Sequence, residues 1–472
     1  MNNGRINNGR FSDFDDEVRE LVVDFESTVL RGESQFFDVD ELEIIIDYYL
    51  ETNDLHPLEA AVNYAEQLYP DSTSIKVRRA HWLIANNKNK EALNRLLELH
   101  RTVPDDTDVC YSLGVAYSTL GQSEKAIEAF NQAAADGWQL GHIYANIAEE
   151  YFRMKKFSIA RDYYIKALDT DSYDNPTLHG FLEACEYLND YASAVDYLSK
   201  FVKREPYNSE AWYCLGTAQL ELKMYERAAD SFEYAIAIDS TYIEAYYQLS
   251  SCHEGLGNIP LAASDLLRIA EVQPEQRSMA YSAIGLLYAR SQNLEAALFY
   301  FRKALELDPY DVESISRMAI CFLHLGDLAS ARSQIIKALD INPKNNEVLC
   351  SAAVIADASG NYERANNYFE ELILSGTYTE QHCRLYTNFL FIHEQYDVLI
   401  EFALESLSIL PHDSFYSTYL AAVYFLTNRY NKANSCLPDV QPELLADICP
   451  QMMEHPRFAP LIPSIDKKNE KQ

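Results

Sequence analysis

The chain rewrites one pattern every 34 residues, and this period limits its fold more than any other feature, as in Pro309 and Pro343. Pro70, Pro104, Pro206, Pro274 and Pro411 fall in the same phase once one extra residue near 275–277 is allowed. With these prolines at position 32, repeats start at residues 39, 73, 107, 141, 175, 209, 243, 278, 312, 346, 380 and 414. Position 20 then holds Ala92, Ala126, Ala160, Ala194, Ala228, Ala262, Ala297, Ala331, Ala365 and Ala433; only Leu58 and Leu399 depart.

The remaining positions have mechanical reasons. Position 8 is mostly small, as in Gly114, Gly216, Gly285 and Ala319. Position 24 is mostly large, as in Phe130, Tyr164, Phe232, Phe301 and Phe369. A small residue lets two helix backbones approach, and a large one fills the groove between them. Position 15 tends to Gly or Asn (Asn53, Asn87, Gly121, Asn189, Gly257, Gly326, Gly360, Asn428), which tolerate the left-handed conformation that ends a helix. Proline at position 32 cannot continue a helix. Each repeat is therefore predicted to be helix A, a tight turn, helix B and a second turn.

On these residues the chain resembles a known family. WYCLG at 212–216, YSAIGLLY at 281–288, and then Ala297, Phe301 and Pro309 are similar to the tetratricopeptide repeat pattern W-x2-L-G-x2-Y, A-x3-F, P. The resemblance runs over about 39–447, as twelve tandem repeats. It implies an all-α fold, an α-α superhelix of antiparallel hairpins with the A helices lining a concave face. The length of 472 residues alone suggests about three domains; the repeat replaces them with one solenoid whose repeats touch only their neighbours. Around it, residues 1–12 are expected to be a disordered head, 13–38 a capping segment with an acidic amphipathic helix, 448–463 a C-terminal cap and 464–472 a disordered tail.

Charge narrows the partners. A net charge of −33 argues against nucleic acid, whose phosphates need clustered Lys and Arg. Nine scattered cysteines without a CxxC spacing read as reduced thiols. The first residues, MNNGRINNGRFSDFDDEV, carry no apolar signal segment, and no apolar run is long enough for a membrane helix. The expectation is a soluble, cytoplasmic protein.

The sequence carries few signals of catalytic chemistry. Walker A, GxGxxG, HExxH and GxSxG motifs are missing from the sequence. Asp169, Asp171 and Asp174 lack the glycine and terminal glutamate of a calcium loop. Cys252 and His253 are adjacent, so on a helix they do not face one another; the expectation there is a core cysteine beside a groove histidine. The sequence is thus read as non-enzymatic, with no catalytic residue, cofactor or metal site.

Binding is the better expectation. The family resemblance places positions 2, 5, 9, 12 and 13 of helix A on the concave surface. In repeats four to seven these include Glu149, Glu183, Glu186, Glu210, Glu221, Glu244 and Glu254, with Arg153 the single base. Phe152, His179, Tyr187, Tyr213, Tyr247 and His253 stand among them. Acids with aromatics suit a protein or peptide segment bearing Lys or Arg, through ion pairs and cation–π contacts. The expected sites are Glu149, Phe152, His179, Glu183, Glu186, Tyr187, Tyr213, Glu221, Tyr247 and Glu254, on a non-catalytic scaffold. The rival expectation is a targeting or regulatory subunit of an enzyme complex whose catalysis lies on another chain. The carboxylate clamp with which some family members hold chaperone C-termini is not expected. Asn146 sits at a clamp position, but Tyr111, Val115, Pro176 and Gly180 stand where its partners belong. In repeats nine to twelve the equivalent positions turn apolar: Ile320, Leu323, Val354, Phe391, Ile392, Phe425 and Leu426. Phe425 and Leu426 are expected to lie under the C-terminal cap; the others are open between core and partner surface.

Overall fold

The computed structural model describes residues 16–31, 36–137, 139–170 and 173–458. The expected disordered head and tail lie outside the described residues, as do 13–15, 32–35 and 459–463 of the two expected caps. The described elements are α-helices with three short 3-10 turns.

Two compact bodies divide the chain, residues 1–274 and 275–472. The first holds α1 (Asp16–Arg31), α2 (Val39–Glu51), α3 (Leu55–Leu68), α4 (Thr73–Ala85) and α5 (Asn89–Thr102). It continues through α6 (Thr107–Thr119), α7 (Ser123–Ala133), α8 (Leu140–Arg153), α9 (Phe157–Leu168) and α10 (Asn175–Tyr187). It closes with α11 (Tyr191–Arg204), α12 (Ser209–Glu221), α13 (Tyr225–Ile238), α14 (Ile243–Gly255) and α15 (Ile259–Val272). The second begins with α16 (Arg277–Arg290), α17 (Leu294–Leu307), α18 (Val312–His324), α19 (Leu328–Ile341) and α20 (Asn346–Ala358). Next come α21 (Tyr362–Leu374), α22 (Glu380–Ile392), α23 (Tyr396–Ile409) and α24 (Ser414–Leu426). Three short helices finish it: α25 (Tyr430–Cys436), α26 (Pro442–Ile448) and α27 (Pro450–Glu454). Within each body successive helices pack in hairpins, and each hairpin packs on the next, so each body is an all-α solenoid.

The hairpin contact is built as its composition dictates. The ten alanines at position 20 are all fully buried. A Cβ placed on Gly216 would lie 2.7 Å from the Phe232 ring, and one on Gly285 2.7 Å from the Phe301 ring. The glycine in helix A thus seats the phenyl ring of helix B, whose burial contributes about 1.5–3 kcal/mol.

The turn inside the hairpin is more uniform than its sequence. Position 15 is left-handed in every repeat, including Lys155 (φ 58°), Lys223 (φ 57°), Gln292 (φ 62°) and Glu394 (φ 55°). Neither Gly nor Asn occupies those four places. The packing of the two helices enforces the conformation there against a cost of about 1–2 kcal/mol per residue.

Most A helices also start on a side-chain cap. Asp38, Ser72, Asp106, Asp174, Asn208, Asp311, Asn345, Thr379 and Asp413 each accept a hydrogen bond from a backbone N–H of the first turn. Such caps contribute about 1 kcal/mol each. At the start of α14 the equivalent residue is Tyr242, which makes no cap bond.

The ends are closed by aromatic packing. In α1, Phe25 meets Phe37 and Tyr64 edge-on, with ring centroids 5.7 and 5.8 Å away. At the other end His455 and Phe458 both pack on Phe425, each at 5.4 Å.

Candidate functional site

Helices α8, α10, α12 and α14 carry the acidic and aromatic residues of repeats four to seven. Two local clusters form on them, and the other candidates are spread along the same helices.

The first cluster is aromatic. The Phe157 ring, at the start of α9, lies parallel to Tyr187 of α10, with centroids 4.4 Å apart and 9° between planes. Phe152 of α8 meets Tyr187 edge-on at 5.4 Å. Tyr187 nevertheless stays 60% exposed. Glu183 and Glu186 are exposed on the same helix, and Glu221 is exposed at the end of α12. Burial first, and then the charges of Glu186 and Glu221, push the neighbouring Tyr191 hydroxyl above its ordinary pKa. The two carboxylates therefore sum their fields at this place.

The second cluster is polar. His179 of α10 bonds through Nε2 to Oε1 of Glu210 on α12, and the Tyr242 hydroxyl donates to the same oxygen at 2.7 Å. The ring of Tyr213 lies 6.4 Å from His179 and 4.9 Å from Tyr242. Cys214 is one helical turn beyond Glu210 and fully buried. The candidate ligand atoms of His179, Glu210 and Cys214 all lie within 4.8 Å of one another. The hydrogen bond to Glu210 raises the pKa of His179, against an opposing effect of burial. Burial pushes the Glu210 carboxyl upward, but bonds from His179 and Tyr242 outweigh it and hold the group below its ordinary value. Burial pushes the Cys214 thiol well up.

Glu149, half exposed, pairs with Arg153 at 3.1 Å. Arg153 also reaches Glu150 at 2.9 Å and the Ser118 hydroxyl at 2.9 Å. The single base of this face is thus already neutralised by its own chain. Tyr247 is half-buried near Glu244, and Glu254 is half-buried in the last turn of α14.

One expectation needs correction. His253 is not a groove residue; it is 8% exposed and bonds through Nδ1 to Oδ2 of Asp265 on α15 at 2.6 Å. Sequence reasoning also missed Phe157, Tyr242 and buried Glu150. Tyr242 left one signal: it stands where most repeats carry a capping Asp, Asn, Ser or Thr.

The apolar strip of the second body is mostly covered. Ile320, Leu323 and Val354 are half-buried, and Phe391 packs on Tyr419 at 5.3 Å. Ile392 alone of the strip is strongly exposed, at 58%.

Comparison with known proteins places this architecture. A tetratricopeptide repeat model matches residues 186–243 and 247–312, a second matches 288–353, and a third matches 107–135 and 141–174. The BBSome complex member BBS4 of Bos taurus is 25% identical over 259 residues, which are 54% of this chain and 49% of that protein. Anaphase-promoting complex subunit 3 of Schizosaccharomyces pombe is 24% identical over 264 residues, 55% of this chain and 39% of its own length. The chain therefore spans about half or less of these relatives. Among solved structures, a chain of the APC/C hetero-tetramer Cut9–Hcn1 aligns with 95% of this chain at 14% identity and TM-score 0.38, with 93% of that chain covered. The recurring helical hairpins and the matches to three repeat models agree: the chain belongs to the tetratricopeptide repeat family.

Proposed function

We propose that this protein is an assembly scaffold that binds a Lys- or Arg-bearing segment of another protein on the A-helix face of repeats four to seven. One observation carries the reading: Glu183, Glu186 and Tyr187 are exposed together on α10 and Glu221 is exposed at the end of α12, while Arg153 is engaged within the chain. An ammonium or guanidinium over that ring would gain a cation–π contact of about 0.5–1 kcal/mol, and the carboxylates would add directed charge. The helices are already formed in the unbound chain, so the receptor loses little ordering entropy. The relatives are named as a complex member and a complex subunit, which favours a role in a multiprotein assembly. Its catalysis, where there is any, would then lie on another chain, and a catalytic activity that co-purifies would identify that variant of the reading. No described helix is long and apolar enough to cross a membrane. All nine cysteines are free, and all but Cys436 are buried, which suits a reducing compartment such as the cytoplasm.

The test replaces Glu183, Glu186 and Glu221 together by Lys. Affinity for a partner isolated with the wild-type protein is then measured by calorimetry at several salt concentrations. A loss of at least about tenfold at low salt, shrinking as salt rises, is expected from charge reversal at a screened site. Undiminished affinity across the series would overturn the proposal.

A further inference from the structure

We infer that His179, Glu210 and Cys214 form a zinc-class metal site between repeats five and six, open to solvent on the His179 side. The inference goes beyond the scaffold reading and does not rest on it.

The ligand set comes first. Imidazole nitrogen, carboxylate oxygen and thiolate sulfur are the three ligand types that zinc accepts together, at about 2.0–2.3 Å. Three protein ligands leave a fourth position for water. The geometry follows from two helices. Glu210 and Cys214 are four residues apart on α12, so they stand on one face, as paired ligands on a helix must. His179 reaches the same point from α10. With all three ligand atoms inside 4.8 Å, ångström-scale side-chain shifts suffice to draw them around one ion.

The surroundings fit as well. The Tyr242 hydroxyl donates to Oε1 of Glu210 at 2.7 Å. Such a bond orients a ligand from behind. The His179 side chain is 51% exposed and gives access, whereas Cys214 is fully buried and supplies a dry inner wall. Binding requires Cys214 to give up its thiol proton to solvent and His179 to be neutral, so affinity falls as pH falls.

The experiment uses the full chain, stripped with a chelator and titrated with Co²⁺ as a coloured stand-in for zinc. The expected result is a thiolate-to-cobalt charge-transfer band in the near ultraviolet, saturating at one ion per chain and bleached by Zn²⁺. Cys214→Ser removes the band. Tyr242→Phe weakens binding about tenfold, and His179→Ala weakens it at least as much. A Glu186→Gln, Glu221→Gln double variant, which leaves Glu183 in place one turn from His179 and adds no cation, binds cobalt like wild type, which separates this site from the scaffold face. A wild-type protein without the band in excess cobalt, or a band that survives Cys214→Ser, overturns the inference. Where Cys214→Ser fails to fold, the half-exposed His179→Ala decides: unchanged cobalt affinity in that variant is equally fatal.

Discussion

Two kinds of hairpin interior occupy the same two positions of the repeat. In α8/α9 the pair at positions 11 and 23 is Tyr151 on Tyr163, stacked at 5.5 Å; in α16/α17 it is Tyr288 on Tyr300, stacked at 5.7 Å. In α12/α13 the same places hold Gln219 and Ser231, whose hydroxyl donates to the amide oxygen at 2.7 Å. In α14/α15 they hold His253 and Asp265, bonded at 2.6 Å and almost wholly buried. The repeat sets where the two helices touch but not the chemistry used there. An aromatic pair adapts to small misfits and keeps its contact area. A buried polar pair has no such latitude, because either partner alone is a desolvated group without a bond.

That contrast can be broken most severely at Asp265. Asp265→Ala should destabilise the α14/α15 hairpin by about 3 kcal/mol, because His253 loses its buried partner. Native-state hydrogen exchange of α14 and α15 reads this locally, which suits a solenoid whose repeats open separately. The double replacement His253→Gln with Asp265→Ser transplants the neighbouring pair and should recover most of the loss. If Asp265→Ala exchanges like wild type, the buried pair is not what holds this hairpin.

A smaller effect is expected where both kinds of hairpin are alike. Gly216→Ala and Gly285→Ala each push a methyl into a phenyl ring, costing about 1–3 kcal/mol by overpacking. The polar hairpin α12/α13 and the aromatic hairpin α16/α17 should suffer equally in thermal melts of the two variants. A clear difference would mean that the position 11 and 23 pair also governs the glycine contact.

The smallest effect belongs to the stacks. Tyr288→Leu keeps most of the apolar area and loses the ring pair with Tyr300, a change of about 0.5–1.5 kcal/mol. Urea unfolding monitored at α16/α17 checks it. A loss as large as that of Asp265→Ala would erase the distinction between adaptable and exacting interiors.

The hairpins were legible in the sequence because their rules are local. Ala228, Gly216 and Phe232 recur at fixed positions, and each acts on a partner within its own repeat. The candidate site was legible only as a list of residues on one helix face. Glu183, Glu186 and Tyr187 are exposed on α10. His253 failed because its position belongs to the hairpin interior, and its partner Asp265 looks in sequence like an ordinary surface acid. Lys155, Lys223, Gln292 and Glu394 hid a left-handed turn because residue preference is weaker than the packing around it.

The sequence by itself determined the period, the two helices of each repeat and the small-against-large contact between them, since a short segment carries all that such contacts need. Only the tertiary structure decided that Arg153 is neutralised by Glu149 and Glu150, and that His179, Glu210, Cys214 and Tyr242 converge. These depend on how far apart neighbouring A helices lie and which way each side chain turns. A pattern that repeats along the chain carries neither quantity.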